Sequence, residues 1–296
     1  MHRQGLGYGR NDTGAIPKRC DLSSADLAWP PDDIVLRVGK DREEFAAIGA
    51  YCADFVRHTV PQERLTRGSA ILDFGCGYGR TLRHFALEAQ HADFWGCDIS
   101  DGAVRWVQAH LSPPFRAVTC DLAPPTALPT HFFDVVYAFS VFTHIAFTWS
   151  EWLLEINRVL KPDGWFLATF LGPRFGSIYL HRELTDDQVG MISASVDNPW
   201  SRGGPGVILS PWWIEQHWGR LFRIHSIAPE GFGGEFGGSF PTQGAVLMQP
   251  RGAGVTREDL EAPGPPSERE VVSLHLAKAV ADSQLDKLVR RLDSTT

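Results

Sequence analysis

The residues whose types and spacing point most directly to chemistry lie in one short stretch. Residues 71–80 read Ile-Leu-Asp-Phe-Gly-Cys-Gly-Tyr-Gly-Arg. An apolar run delivers Asp73 into a turn with Gly75, Gly77 and Gly79 on alternate positions. Glycine tolerates positive φ and has no Cβ, so such a turn bends sharply at a strand end and leaves a ligand room to approach the backbone. A dinucleotide-binding turn spaces its glycines G-x-G-x-x-G and holds a pyrophosphate at the following helix N-terminus. Here the third glycine comes one residue early and an acid precedes the turn. A carboxylate there would repel a pyrophosphate, but it suits a ligand that carries an ammonium group.

The turn needs a strand before it and a helix behind it, and residues 81–89 are expected to supply the helix. Upstream, Phe45, Ile48, Tyr51, Cys52 and Phe55 recur at helical spacing and predict a helix over 41–60, packed beside the ligand domain. Downstream, short apolar runs at 93–97, 115–119, 133–139 and 165–170 alternate with helical segments at 103–111 and 149–160. That alternation predicts an α/β fold with a parallel sheet and helical crossovers. Thr148, with Glu151 three residues later, is expected to cap the 149–160 helix, and Lys161-Pro162 to close it. Residues 211–221 read as a further helix, and 222–228 and 243–249 as two last strands.

Residues 1–31 are rich in glycine, proline and polar residues and read as a loosely ordered arm. The ligand domain is expected over 32–250, with an irregular insertion at 171–210 capping the carboxyl edge of the sheet, where loops commonly carry specificity. A proline- and charge-rich linker over 251–267 leads to an amphipathic helix over 268–293. There Val271, Leu274, Lys278, Ala281, Leu285, Leu288 and Leu292 alternate by three and four residues, a short heptad pattern. The stripe either docks the helix on its own domain or joins two copies into a homo-oligomer.

With 296 residues, 43% hydrophobic and 21% charged, the chain suits one large α/β domain with additions. It has no apolar run of about 18 residues and no apolar signal-peptide region, so no membrane span and a cytoplasmic location are expected. Five cysteines without a C-x-x-C pair read as reduced, mostly buried thiols. A net charge of -7 argues against a nucleic-acid partner. No histidine or carboxylate cluster has metal-ligand spacing, and metal independence is expected.

Residues 71–80 resemble motif I of the class I S-adenosylmethionine-dependent methyltransferases, in which an acid-x-G-x-G-x-G turn borders the methionine part of the cofactor. Other segments resemble that family in the same order. Residues 94–98, Phe-Trp-Gly-Cys-Asp, end in an acid placed to accept from both ribose hydroxyls. Charge-assisted bonds of that kind contribute roughly 1.5 to 3 kcal/mol each. Ser100 can cap the next helix, which leaves Asp98 free for the ribose. Residues 120–122, Cys-Asp-Leu, resemble the adenine site, where Asp121 accepts from the exocyclic amine and Leu122 flanks the ring. Residues 133–140, Phe-Asp-Val-Val-Tyr-Ala-Phe-Ser, resemble motif IV, whose end borders the transferable methyl; Asp134 reads there as a turn residue. Residues 158–164 resemble the helix-to-strand turn that follows motif IV, and Arg37 the arginine that reaches the cofactor carboxylate in small-molecule members.

The resemblance spans roughly residues 37–249 and implies a Rossmann-like, doubly wound sheet of seven mostly parallel strands. It implies S-adenosyl-L-methionine as cofactor. Its site would comprise Arg37, Asp73, Gly75, Cys76 and Gly77, then Asp98, Ile99, Asp121, Leu122 and Phe139.

A sulfonium activates its methyl for in-line displacement, so such an enzyme has chiefly to align the reactants and exclude water. A base is needed only when the acceptor keeps a proton at neutral pH, as an alcohol does. His144, in Ser-Val-Phe-Thr-His-Ile just beyond the fourth strand, is the leading base, since an imidazole is mostly neutral at pH 7. It can equally hold its loop through a backbone hydrogen bond. His181, Glu183, Glu215 and His217 are further candidates in or near the cap, while Trp212, Trp213 and Trp218 read as packing. The expected activity is O-methylation of a hydroxyl on a small molecule or glycan. N-methylation of an amine, a catalytically silent scaffold and a nicotinamide-dependent dehydrogenase are the alternatives.

Overall fold

A computed structural model describes residues 27–36, 39–194, 198, 204–233, 242–252, 254–265 and 267–293. Cys20, Arg37 and most of the 1–31 arm lie outside the described residues. Helices α1 (Asp32–Val35) and α2 (Arg42–Thr59) lead into β1 (Ala70–Phe74). There follow β2 (Asp93–Asp98), α3 (Asp101–His110), β3 (Arg116–Thr119), β4 (Phe133–Ala138), α4 (Trp149–Val159) and β5 (Leu160–Phe170). The second half runs α5 (Gly176–Tyr179), β6 (Met191–Ala194), β7 (Gly206–Leu209), α6 (Pro211–Leu221), β8 (Phe222–Phe232), β9 (Gln243–Pro250), α7 (Arg257–Glu261) and α8 (Ser267–Asp293).

Seven strands form one sheet in the order β3-β2-β1-β4-β5-β9-β8, with β9 antiparallel to both neighbours and the other pairs parallel. This is the Rossmann-like, doubly wound sheet that the motif order implied. Successive strand residues point to opposite faces, so the buried runs of β1, β4 and β5 feed two cores. Leu72, Val136 and Phe166 pack on one face with α4 and α6 residues such as Ile156 and Trp218. Ile71, Val135 and Leu167 pack on the other with Val56 of α2 and Val107 of α3. Strand order reverses between β1 and β4, and a doubly wound sheet opens a crevice at the carboxyl ends there. Among the described residues no helix is long and apolar enough to cross a membrane.

Local signals set most helix ends. The Asp41 carboxylate accepts from Glu44 N at the start of α2, and Ser210 caps α6, whose first residue is Pro211. Two local expectations fail. Residues 81–89 form short 3₁₀ turns, Leu82–Phe85 and Glu88–Gln90, in place of an α-helix. The Arg57 guanidinium of α2 donates to the His84 carbonyl at 2.6 Å, and Gly49 packs so closely on the Arg80 carbonyl that a Cβ would stand 2.3 Å from it. The His84 oxygen is thereby engaged outside the i→i−4 ladder. Thr148 makes no side-chain cap to α4, its backbone at φ -108°, ψ 19° being outside the extended N-cap conformation, and Glu151 pairs with Arg257 of α7.

The β6–β7 ribbon is tied to the loops that leave the main sheet. Val207 N donates to Thr143 O at 2.7 Å, and Leu209 N to Leu171 O at 2.8 Å. Helix α8 docks beside this ribbon, though not through the heptad stripe. Its buried face is shifted by one residue, through Glu270, Ser273, Ala277 and Val280, while Leu274 and Leu285 stay 56% and 60% exposed. Small residues decide the register: Gly190 approaches Ser273 so closely that a Cβ would lie 2.8 Å from the serine Cβ.

Candidate functional site

The turn after β1 reverses through positive φ, at +86° for Gly75 and +51° for Gly77. A Cβ on Gly75 would stand 2.3 Å from Val141 Cγ2, so glycine here lets the loops after β1 and β4 approach each other; a Cβ on Gly77 would meet nothing within 4 Å. The turn spends its amides inside the protein. Gly75 N and Cys76 N donate to Cys97 O at 2.7 and 3.1 Å, and Gly77 N donates to Asp98 Oδ2 at 2.7 Å. This is not the array of outward amides that holds a pyrophosphate. Cys76 is buried with its sulfur against Gly96, so it shapes the turn from beneath.

Asp98 ends β2 and accepts also from Ser100 N at 2.8 Å, while Ser100 Oγ takes Ala103 N at the start of α3. Burial raises the Asp98 pKa against the pull of these backbone amides. Asp73 is buried at the end of β1, and its carboxyl is pushed up to about 8. Burial is the main cause; the Tyr137 hydroxyl and Arg80 oppose it, and Asp98 adds to it. Tyr137 faces Asp73 across the β1–β4 ladder, yet its buried hydroxyl completes no hydrogen bond of good geometry among the described residues. A cationic group beside Asp73 would restore the carboxylate that burial disfavours.

A cleft of about 250 Å³ opens at this carboxyl edge. Phe74, Gly75 and Asp98 line it together with Ile99, Leu122 and Phe139, and beyond them Val141, His144, Ile145 and Trp152. Ile99 and Leu122 are 43% and 57% exposed, apolar groups left open at the rim of a polar-ended slot. Phe139 stacks on Phe232 with centroids 4.9 Å apart. Asp121 is exposed and does not line the cleft, and Arg37 lies outside the described residues. Asp134, expected as a turn residue, ties Lys161 Nζ and Ala70 N together at the far end of β4.

His144 sits on the loop after β4. Its Nδ1 lies 2.7 Å from the Pro205 carbonyl, an acceptor only, so Nδ1 carries the proton and Nε2 the lone pair of the neutral ring. Burial lowers its pKa, with the Pro205 bond opposing. His181, Glu183 and Glu215 are exposed and outside the cleft, and His217 is buried at a different cavity. Trp213 and Trp218 belong to the core. Sequence reasoning missed Val141, Ile145 and Trp152 as cleft wall; the apolar residues around His144 were the available signal.

A seven-stranded sheet of this order, with an acid-led glycine turn after β1 and a second acid ending β2, defines the class I S-adenosylmethionine-dependent methyltransferases. Residues 72–168 match the family described as methyltransferase domain. It is 29% identical over 142 residues to a fatty-acid O-methyltransferase of Mycolicibacterium smegmatis, covering 48% of this chain and 51% of that protein. It is 28% identical over 145 residues to a phthiotriol/phenolphthiotriol dimycocerosates methyltransferase of Mycobacterium ulcerans, covering 49% and 50%. The chain thus spans about half the length of these relatives. In fold it resembles an S-adenosylmethionine-dependent methyltransferase from Clostridium acetobutylicum, with TM-score 0.50, 11% identity and coverage of 69% and 92%. A protein from Pyrococcus horikoshii is similar at TM-score 0.50 and 17% identity, covering 71% and 92%. S-adenosylmethionine is the cofactor of this class; Asp98 and the apolar rim line the cleft, whereas Asp73 is buried beside it and is not part of the lining.

Proposed function

We propose that this protein transfers the methyl group of S-adenosylmethionine to an oxygen of an apolar small molecule, with His144 as general base. Asp73 would hold the cofactor's ammonium, Asp98 its ribose, and Ile99 and Leu122 its adenine. When bound, the cofactor supplies an activated methyl. His144 then has one task, to accept the acceptor's proton at Nε2 as the oxygen attacks. The Pro205 carbonyl fixes the tautomer that makes this possible, and burial keeps the ring neutral at pH 7.

The observation that carries this reading is the tethered His144 in the wall of the same cleft as Asp98. Val141, Ile145 and Trp152 make the rest of that wall apolar, which favours an acyl or polyketide-like chain over a glycan. That one relative is a fatty-acid O-methyltransferase points the same way for the acyl chain. The test is transfer of labelled methyl from S-adenosylmethionine to long-chain alcohols and hydroxylated lipids, whose hydroxyls keep their proton at pH 7, beside matched alkylamines. Oxygen methylation that collapses in His144→Ala supports the proposal. Amine methylation that survives the substitution overturns it.

A further inference from the structure

A second cavity, of about 540 Å³, opens between α6, α8 and residues 146–149 of the loop whose preceding residues, His144 and Ile145, line the cleft. Three polar residues in its wall are nearly sealed from solvent: His217, Glu270 and Ser273, at 2%, 7% and 4% exposure. His217 Nε2, Glu270 Oε2 and Ser273 Oγ have no hydrogen-bond partner among the described residues. His217 Nδ1 lies 2.7 Å from the Leu260 carbonyl and donates to it, so Nε2 carries the lone pair of the neutral ring. Burial holds that ring below its usual pKa, with the Leu260 bond and Glu270 opposing and Arg220 adding to the effect. Glu270 Oε1 stands 3.5 Å from Nε2, which leaves Oε2 turned away from the ring.

Arg269 is turned to the Trp212 ring and the Asp186 carbonyl, and Glu261 already takes Ser150 and Arg257. Trp213 stacks on the His217 ring at 4.4 Å between centroids, and Trp149 meets it edge-on at 5.7 Å. Much of the remaining lining is apolar, including Leu274, Leu285 and Leu288.

We propose that this cavity binds a primary alkylammonium ion. Its three N–H donors answer His217 Nε2, Glu270 Oε2 and Ser273 Oγ, its charge is matched by Glu270, and its chain lies against the leucines. An alcohol of the same length brings one donor and no charge; a carboxylate brings neither.

Calorimetric titration of the full chain with octylammonium, octanol and octanoate tests this. The expected result is one saturable octylammonium site, at least tenfold tighter than octanol, with octanoate not bound. Glu270→Gln should weaken octylammonium tenfold or more while S-adenosylhomocysteine affinity stays unchanged. Equal binding of alcohol and amine, no saturable binding, full affinity in Glu270→Gln, or displacement of the amine by S-adenosylhomocysteine overturns the proposal. The comparison of amine with alcohol uses the unaltered protein, so it decides even if the variant does not fold.

Discussion

The Gly77 amide donates to Asp98 Oδ2 at 2.7 Å, joining the glycine turn after β1 to the acid that ends β2. One carboxylate therefore shapes the turn from within and faces the cleft. Asp98→Ala should remove both functions and weaken S-adenosylhomocysteine binding at least about 30-fold, roughly 2 kcal/mol. Asp98→Asn keeps an oxygen for one amide and should lose less. Calorimetry on both variants orders them.

Asp73 couples folding to pH. Its carboxyl titrates at about 8 in the folded protein and near 3.9 in an unfolded chain, so the folded state holds an extra proton between those values. Stability contributed by this group is full below the unfolded value and is lost as pH rises toward 8, by up to ~1.4 kcal/mol per pH unit. Asp73→Asn should flatten that slope. Denaturant melts of both proteins from pH 5 to 8 measure it; parallel slopes would rule out the buried neutral acid.

His144→Ala should lower kcat by roughly 10²- to 10⁴-fold and leave S-adenosylhomocysteine affinity nearly unchanged. Because burial lowers the His144 pKa, the acid limb of the wild-type rate profile should fall below pH 6.5. An acid limb above that value would assign the titration to another group.

Gly75→Ala and Gly77→Ala separate backbone strain from crowding. Gly77 sits at φ +51° with open space around it, so the substitution should cost only the left-handed backbone, about 1–2 kcal/mol. Gly75→Ala adds overlap with Val141 Cγ2, and should be the more destabilising of the two. Val141→Ala in that background should recover the excess and no more, as read by thermal melting.

The amino-acid sequence alone determined the parts of this protein that rest on short-range physics. Alternating apolar runs set the strands, Ser210 with Pro211 set α6 at Pro211–Leu221, and the glycine turn announced positive φ before any coordinate did. Tertiary structure decided wherever a polar group had to choose between a near and a distant partner. Arg57, 27 residues from His84, took a carbonyl that the expected helix needed, and Arg257, 106 residues from Glu151, took the acid of the expected capping box. The same rule separates the histidines: only the fold puts the Pro205 carbonyl 2.7 Å from His144 in the cleft and buries His217 against Leu260 and Glu270. Helix α8 kept its heptad spacing but turned by one residue, because Gly190 admits Ser273 where a leucine would not fit. Spacing names the residues that can act, but burial and partners far along the chain determine which of them share a cavity.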